Sequence, residues 1–228
     1  MPQVEKYGVP VHVIGNWSRF SCGLGVESLE LLIHNSQLPT HNSQLIIYPA
    51  AFAKGKNQKL LIAAFALVAA EFPGWKLRLW GRAEGRYAGK CRRLAAKTGI
   101  ADKVDFAGFC DDLAQEYAHC GFVAFPSLDE GFGLVIADAA AFGKPAVMVH
   151  DWIGTASAGG GVAAGATPEV YAEALRRMMR CSELRKDMGL KAKLFCAEKY
   201  SRKAILDEWE NLLAGAPQFT RNKNKFMV

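Results

Sequence analysis

The stretch "GFVAFPSLDEGFGLVIADAAAFGKPAVMVH", from Gly121 to His150, joins two apolar runs through a glycine-rich turn and a segment of small residues. Near-continuous apolar runs are typical of strands that are buried on both faces of a parallel sheet. The small-residue segment between them predicts a helix. A helix that joins two parallel strands makes a right-handed crossover. The stretch therefore predicts one strand–helix–strand unit of an α/β protein.

The same alternation extends upstream. Strands are predicted at Gln44–Ala50, Trp75–Gly81 and Asp102–Phe109, and a helical pattern follows each of them. Three more helical patterns lie between Thr167 and Ala214, each opened by Ser or Thr. Alternation on this scale predicts an α/β fold with a Rossmann-like, doubly wound parallel sheet and C-terminal helices.

The composition is that of an ordinary globular protein. Half of the 228 residues are hydrophobic and 22% are charged, which excludes the disordered and fibrous classes. No apolar run is long enough to span a bilayer, and Met1–Gly15 lacks the basic start and apolar middle of a signal peptide. We therefore expect a cytoplasmic protein.

The net charge of +6 does not by itself predict a nucleic-acid partner. Much of the excess Lys and Arg lies in helical patterns and in the last residues, and no aromatic residues alternate with a basic stripe. We expect no nucleic acid, since that hypothesis rests on charge alone. The six cysteines are scattered without a C-x-x-C pair, so we expect reduced thiols and no metal site.

The glycine-rich turn before the helix is the best candidate ligand site. In open α/β sheets, ligands bind beyond the carboxyl ends of the strands, and the following helix N-terminus suits a phosphate. Gly131 and Gly133 let a ligand approach the backbone beside Phe132, and Glu130 can accept hydrogen bonds from hydroxyl groups. Asp138, two turns further along, projects from nearly the same helix face. Two carboxylates repel a lone phosphate and favour a sugar, so the pattern predicts a sugar nucleotide.

The motif "FPSLDEGFGLVIADAAAFGKPAVMV" resembles the nucleotide-binding domain of the retaining GT-B glycosyltransferases of family 4, also called group 1. That family carries a strand ending in Pro-Ser, then E-G-F-G-L, a second Glu eight residues after the first, and a small-residue helix closing in G-x-P. Upstream, "KGKNQKLLIAAFALV" is similar to the family's first helix, and "VHVIGNW" to the stretch before its interdomain linker. The resemblance implies that the sheet is one half of a GT-B fold.

The resemblance also implies roles for the site residues. Glu130 would contact the transferred sugar and Asp138 the nucleotide ribose, while Lys56 would neutralise the leaving diphosphate; Glu130 and Lys56 are the expected catalytic residues. It implies no cofactor and no metal, because the nucleotide-sugar is a substrate. The expected donor-binding residues, which include the strand end beside the base and the amides that hold phosphate, are Lys56, Gly108, Phe109, Glu130, Gly131, Phe132, Gly133, Leu134 and Asp138.

The family resemblance further implies how the chain is divided. Residues 1–45 are expected to be the remnant of an N-terminal domain and its linker, residues 46–216 the donor domain, and residues 217–228 a disordered basic tail. The family completes its active site with an acceptor-binding N-terminal domain, so a separate chain carrying that domain is an expected partner. The expected reaction transfers a hexose from a nucleotide-sugar to a glycan or lipid-linked acceptor, as in polysaccharide or lipopolysaccharide biosynthesis. A lipid-linked acceptor would bring the protein to the inner face of the membrane.

Two departures from the family keep a second hypothesis open. Asp138 is one methylene shorter than the Glu that the family usually carries there. Ala50 and Ala51 stand where the family has a phosphate-binding Arg, and no lysine reproduces its bidentate fork. A truncated or degenerate module that binds a nucleotide-sugar without turnover is therefore the alternative to an enzyme.

Two further segments have alternative interpretations. "AGGGVAAGA", residues 158–166, has the glycine content of a phosphate cradle but lacks the Lys-Ser/Thr of a P-loop, so we expect a flexible connection. The sequence "HNSQL" occurs at His34–Leu38 and again at His41–Leu45. It is either a histidine metal site or a duplicated linker, and the lack of a third ligand favours the linker.

Overall fold

The computed structural model describes Asn16, Ser18 and residues 43–215. Its centre is a six-stranded, all-parallel sheet with the order β3-β2-β1-β4-β5-β6. The strands are β1 (Leu45–Pro49), β2 (Lys76–Trp80), β3 (Val104–Gly108), β4 (Phe122–Phe125), β5 (Ala146–Met148) and β6 (Gly161–Ala163). The helices are α1 (Gln58–Val68), α2 (Gly85–Lys97), α3 (Leu113–His119), α4 (Leu134–Ala141), α5 (Pro168–Arg180), α6 (Ser182–Lys199) and α7 (Arg202–Gly215). The predicted Rossmann-like, doubly wound sheet with C-terminal helices is confirmed.

Helices cover both faces of the sheet. Helix α1 packs against α2 and α5, and α4 packs against α6. Right-handed crossovers from this strand order place these two groups on opposite faces. The central strands are buried accordingly: all four residues of β4, and β1 after its first residue, lie in the core. This double coverage explains their near-continuous apolar sequences.

The chain reverses its direction of winding between β1 and β4. These neighbours pair at Ile46↔Phe122 and Ile47↔Val123, while β2 and β3 lie beyond β1 and β5 and β6 lie beyond β4. The helices that follow these two strands, α1 and α4, therefore lie on opposite faces of the sheet, while the loops before them begin side by side. Such a switch point leaves a crevice in which α/β proteins bind ligands.

One helix takes part in the hydrogen bonding of the sheet. The Tyr171 hydroxyl in α5 donates to the Val147 carbonyl at 2.7 Å and accepts from the Phe125 amide at 3.1 Å. The tyrosine thus bridges β4 and β5. Its hydroxyl is fully buried, and this burial raises the pKa of Tyr171 well above its ordinary value, so the hydroxyl keeps the proton that it donates.

The expected flexible connection at residues 158–166 is wrong, because its central residues, Gly161–Ala163, form β6 at the edge of the sheet. The glycines allow close packing there. A Cβ on Gly160 would lie 2.6 Å from Ala192 Cα, and a Cβ on Gly161 would lie 2.5 Å from the Ala146 carbonyl oxygen. A second correction concerns α6, which is capped by Cys181 and not by Ser182: the Leu184 amide donates to Cys181 Sγ at 3.3 Å.

Several predictions fall on residues that the structure does not describe. The predicted N-terminal remnant, 1–45, is described only at Asn16, Ser18 and residues 43–45, and the predicted tail at 217–228 lies outside the described residues. The first "HNSQL" copy lies outside them as well. Within the described part of the chain, none of the helices combines the length and the apolar character needed to cross a bilayer.

Candidate functional site

Two loops meet at the switch point and bring Lys56 to Glu130. Lys56 ends a 3-10 turn, Lys54–Lys56, in the loop between β1 and α1, and Glu130 lies in the loop between β4 and α4. Lys56 Nζ donates to Glu130 Oε1 at 2.6 Å. Their side chains are 29% and 14% exposed, so both groups remain accessible from one side. The structure therefore joins the two residues that were predicted as a catalytic pair.

A buried hydroxyl pair lies directly under this ion pair. Tyr48, near the end of β1, donates its hydroxyl hydrogen to the Lys56 carbonyl at 2.9 Å, and its oxygen lies 2.8 Å from Ser127 Oγ. The Leu128 amide also donates to the Gly55 carbonyl at 2.8 Å. Tyr48 and Ser127 are fully buried. The sequence interpretation missed both residues, because the bond between them joins positions 79 apart in the chain.

The backbone conformation of Gly133 starts α4. Gly133 is the N-cap with φ 98°, in the left-handed region that favours glycine. A Cβ at this position would lie 3.3 Å from Trp152 Cβ. The first amides of an α-helix lack partners inside the helix and carry its positive dipole end. The conformation of Gly133 thus places a helix N-terminus, which suits an anion, next to Glu130.

The ring of Phe132, between the two glycines, packs inward. It lies edge-on to Tyr200, with 5.2 Å between ring centroids, and the Tyr200 hydroxyl donates to the Ile153 carbonyl at 2.8 Å. Gly131 and Leu134 on either side are exposed. The loop is therefore anchored by its aromatic ring, while Gly131 and Leu134 face solvent.

The structure corrects the prediction that Asp138 faces the same opening as Glu130. Asp138 is fully buried, and Ser18 Oγ donates to Asp138 Oδ1 at 3.0 Å. The Ser18 amide donates to the Tyr200 carbonyl at 3.2 Å. Glu130 lies in the loop before α4, which begins at Leu134, so helix geometry does not relate the directions of the two side chains. Asp138 belongs to the run Ile136–Ala141, which is buried throughout, and its carboxylate lies inward with that run.

A cavity of about 670 Å³ lies at the carboxyl ends of β1, β2 and β3, beside the first turn of α4. Phe109, directly after Gly108 at the end of β3, lies at its wall and is 81% exposed. Ala50 and Ala51, which replace the expected Arg, also line it, so their small side chains widen the space. The lining residues are Pro49, Ala50, Ala51, Trp80, Gly81, Phe109, Cys110, Asp111, Asp112, Leu113, Ala114 and Val135.

Glu116 holds one wall of this cavity. Its carboxylate accepts from Trp80 Nε1 at 3.0 Å and from Arg78 Nη1 at 3.1 Å, and Arg78 Nε also donates to Asp105 at 2.9 Å. Partial burial acts to lower the pKa of Arg78, but these carboxylate partners outweigh it and raise that pKa. Trp80 is therefore fixed by a charge-assisted hydrogen bond and not by packing alone.

Comparisons with known proteins find related sequences and a shared fold. The family model for "Glycosyl transferases group 1" matches residues 31–195, which is well over half of the chain. An exopolysaccharide phosphotransferase of Streptomyces coelicolor is 30% identical over 73% of this chain and 18% of its own length. The lipopolysaccharide core biosynthesis glycosyltransferase LpsE of Rhizobium meliloti is 26% identical over 77% of this chain and 51% of its own.

A solved structure shares the fold. The Anabaena HepE protein, determined in complex with UDP and glucose, superposes with a TM-score of 0.71 at 21% identity and covers 90% of this chain. This chain spans 57% of that structure and about half or less of the two curated relatives above. The sheet corresponds to one half of a GT-B fold, as predicted. By its family match and its fold, the chain belongs to the group 1 glycosyl transferases.

Proposed function

We propose that this chain is the donor-binding domain of a retaining family 4 glycosyltransferase that transfers a hexose from a nucleotide-sugar to a glycan or a lipid-linked acceptor. The observation that carries the proposal is the Lys56–Glu130 pair, 2.6 Å apart, beside the N-terminus of α4. The cation and the helix N-terminus suit the diphosphate of a nucleotide-sugar, and the carboxylate suits the hydroxyl groups of its sugar. The cavity at Phe109 lies on the side where the base would bind.

Each group then has a chemical task. An ammonium has three N–H donors, so Lys56 can hold Glu130 and still donate to a diphosphate. As the bond from the sugar to the diphosphate breaks, negative charge grows on the leaving group, and a fixed cation stabilises it. Glu130 accepts hydrogen bonds from sugar hydroxyls, and the amides at Gly133 and Leu134 bind phosphate. The proposal assigns no metal or cofactor, since Lys56 supplies the positive charge.

The proposal includes a second, acceptor-binding domain across the cleft. LpsE is about twice as long as its matched part, with 51% of its length covered, and the Streptomyces coelicolor relative is longer still, with 18% covered. Large apolar side chains are also exposed around the site, at Phe109, Leu128 and Leu134. Exposed apolar residues grouped at one edge fit a surface that another domain covers. The basic residues after Pro217 fit a contact with anionic lipid, where a lipid-linked acceptor would lie.

A second candidate function is a nucleotide-sugar-binding module without turnover. The inward position of Asp138 and the absence of an Arg side chain at Ala50 and Ala51 favour this alternative. Both changes remove polar groups from the donor cleft. Binding of a donor without transfer, in the presence of an acceptor domain and acceptor, would distinguish it from an enzyme.

Thermal unfolding with a panel of UDP-, GDP- and ADP-sugars tests the proposal. A ligand at about 100 times its Kd adds about 2.7 kcal/mol to the free energy of unfolding, which raises Tm by several degrees for a domain of this size. We expect one base to give this shift, and Lys56→Met and Glu130→Gln to reduce it strongly.

Lys59→Met is the matched control, because Lys59 is an exposed lysine three residues further along, in α1. This variant should keep the full shift. A wild-type protein that no nucleotide-sugar stabilises would contradict the proposal, and so would equal losses in Lys56→Met and Lys59→Met.

A further inference from the structure

The Lys56–Glu130 ion pair is not the only contact that joins the two loops of the site. Its side chains are 29% and 14% exposed, and water that reaches an ion pair screens the attraction between its charges. Yet the proposed function needs the two groups at a constant separation, since misplacement by about 1 Å costs much of the benefit of positioning. Some buried contact must therefore set the geometry.

The hydroxyl of Tyr48 lies where such a contact is needed. It bonds to the carbonyl of Lys56 in one loop and to Ser127 Oγ at the start of the other. A phenol has one hydrogen, and the carbonyl can only accept, so Tyr48 donates to Lys56. Ser127 must then donate to Tyr48. The two hydroxyls form a directional relay from the β4–α4 loop to the β1–α1 loop.

The ring of Tyr48 is buried in the centre of the sheet. Tyr48 pairs with Leu79 in the centre of the sheet and lies edge-on to Phe125, the last residue of β4, with 5.9 Å between centroids. An edge-to-face contact of this kind is a preferred geometry of aromatic pairs and stabilises the ring where it lies. The sheet therefore sets the position of the Tyr48 hydroxyl, and the Lys56 carbonyl in the loop lies where it can accept the hydrogen bond from that hydroxyl.

The carbonyl that Tyr48 binds belongs to the peptide that precedes Asn57. Asn57 has φ 52°, and among the described residues it alone adopts a positive φ without being glycine. A non-glycine residue in that region persists when surrounding contacts determine it. The bond from Tyr48 fixes the plane of the adjoining peptide, and with it the turn that carries the Lys56 side chain.

We propose that Tyr48 and Ser127 are positioning residues of this site: their buried hydroxyl relay sets where Lys56 stands relative to Glu130. This inference rests on the proposed function for its effect on donor binding. The effect on the loops themselves can be measured without any donor. Both side chains are fully buried and therefore out of reach of a ligand, so each acts through the Lys56 backbone.

The experiment compares Tyr48→Phe with Tyr171→Phe. Tyr171 is a matched control, since it is also fully buried and its hydroxyl also makes two hydrogen bonds, but to the strands β4 and β5 and not to the loops. Hydrogen–deuterium exchange without ligand should show exchange about tenfold faster at the amides of Lys56, Asn57 and Leu128 in Tyr48→Phe only, the change expected from losing one buried hydrogen bond.

Donor binding provides the second measurement, with the nucleotide-sugar that stabilises the wild type most. Tyr48→Phe should weaken the Kd about tenfold, and should have no further effect in a Lys56→Met background. Ser127→Ala should weaken binding less, and adding it to Tyr48→Phe should change nothing more, because the relay is already broken. Tyr171→Phe should bind the donor like the wild type at a temperature where both are folded.

The two proposals fail in different ways. If the wild type binds no nucleotide-sugar, the proposed function falls, and the exchange rates alone decide the role of Tyr48. If exchange at Lys56, Asn57 and Leu128 is the same in Tyr48→Phe as in Tyr171→Phe, the positioning role is wrong whatever binds. Equal donor affinity in wild type and Tyr48→Phe would overturn it as well.

Discussion

A single glycine determines how the candidate phosphate site is built. Gly133 turns the chain from the Glu130 loop into α4 with a positive φ, and its missing side chain leaves room for Trp152. Gly131, two residues earlier, has open space around the position of a Cβ and no positive φ. The two glycines of the motif therefore have different reasons to be glycine. Gly133 is needed for the positive φ at the start of α4, and Gly131 leaves open the side on which we propose that the ligand binds.

We expect Gly133→Ala to lower the free energy of unfolding by about 1–3 kcal/mol, because Ala must adopt a left-handed conformation and its methyl group meets Trp152. Gly131→Ala should change stability by less than about 0.5 kcal/mol. Urea unfolding of both variants measures the difference. Equal stability of the two would contradict this account of Gly133.

A buried thiol should make stability depend on alkaline pH. Burial raises the pKa of Cys120 to about 12 from 9.0, and that of Cys91 to about 11. At a pH between 9.0 and the folded-state pKa of each thiol, the folded protein keeps protons that the unfolded chain loses. Stability is therefore fully present below about pH 9 and falls as the pH rises towards the folded-state pKa, by up to about 1.4 kcal/mol per pH unit for each thiol.

Urea unfolding in reductant between about pH 8 and pH 10.5 tests this expectation. Cys120→Ala removes one titrating group and should give a shallower decline than the wild type. Buried tyrosines such as Tyr48 and Tyr171 contribute to the decline in both proteins, so the difference between the two slopes isolates the thiol. Identical slopes would show that Cys120 keeps an ordinary pKa.

At the scale of elements, apolar pattern and turn chemistry predicted five of the six strands and the helices between them. The sixth, β6, was missed because its sequence, Gly161–Ala163, has no long apolar side chains and depends on backbone packing against α6. That Lys56 and Glu130 belong to one candidate site could be predicted from a family motif. The burial of Asp138 and the Tyr48–Ser127 bond could not, because both depend on contacts between residues far apart in the chain.

The cap of α6 offers a prediction at this scale. Cys181 occupies the N-cap with its sulfur as acceptor, and a thiol is a weaker acceptor than a hydroxyl. Cys181→Ser should therefore raise the free energy of unfolding by about 0.5–1 kcal/mol, whereas Cys181→Ala should lower it. Thermal unfolding of the three proteins under reducing conditions measures both changes. A loss of stability in Cys181→Ser would indicate that the sulfur contributes through packing.

At the scale of the whole molecule, contacts across the layers join the two faces to the sheet. Arg176 in α5 forms a bidentate pair with Glu71 beyond α1, and the Cys196 thiol in α6 donates to the Ala137 carbonyl in α4 at 3.4 Å. The pair at Arg176 is on the surface and contributes little to stability. Direct packing between α1 and α5, and not this ion pair, keeps the two helices side by side.

The Tyr171 bridge between β4 and β5 has a consequence for how the protein unfolds. Since a helix supplies hydrogen bonds that the two strands need, α5 cannot detach and leave an intact sheet behind. Loss of the helix would leave the Phe125 amide and the Val147 carbonyl buried without the hydrogen bonds that Tyr171 gives them. We expect the sheet, α1 and α5 to melt as one cooperative unit, with coincident far-UV circular dichroism and tryptophan fluorescence transitions, and Tyr171→Phe to separate the two curves.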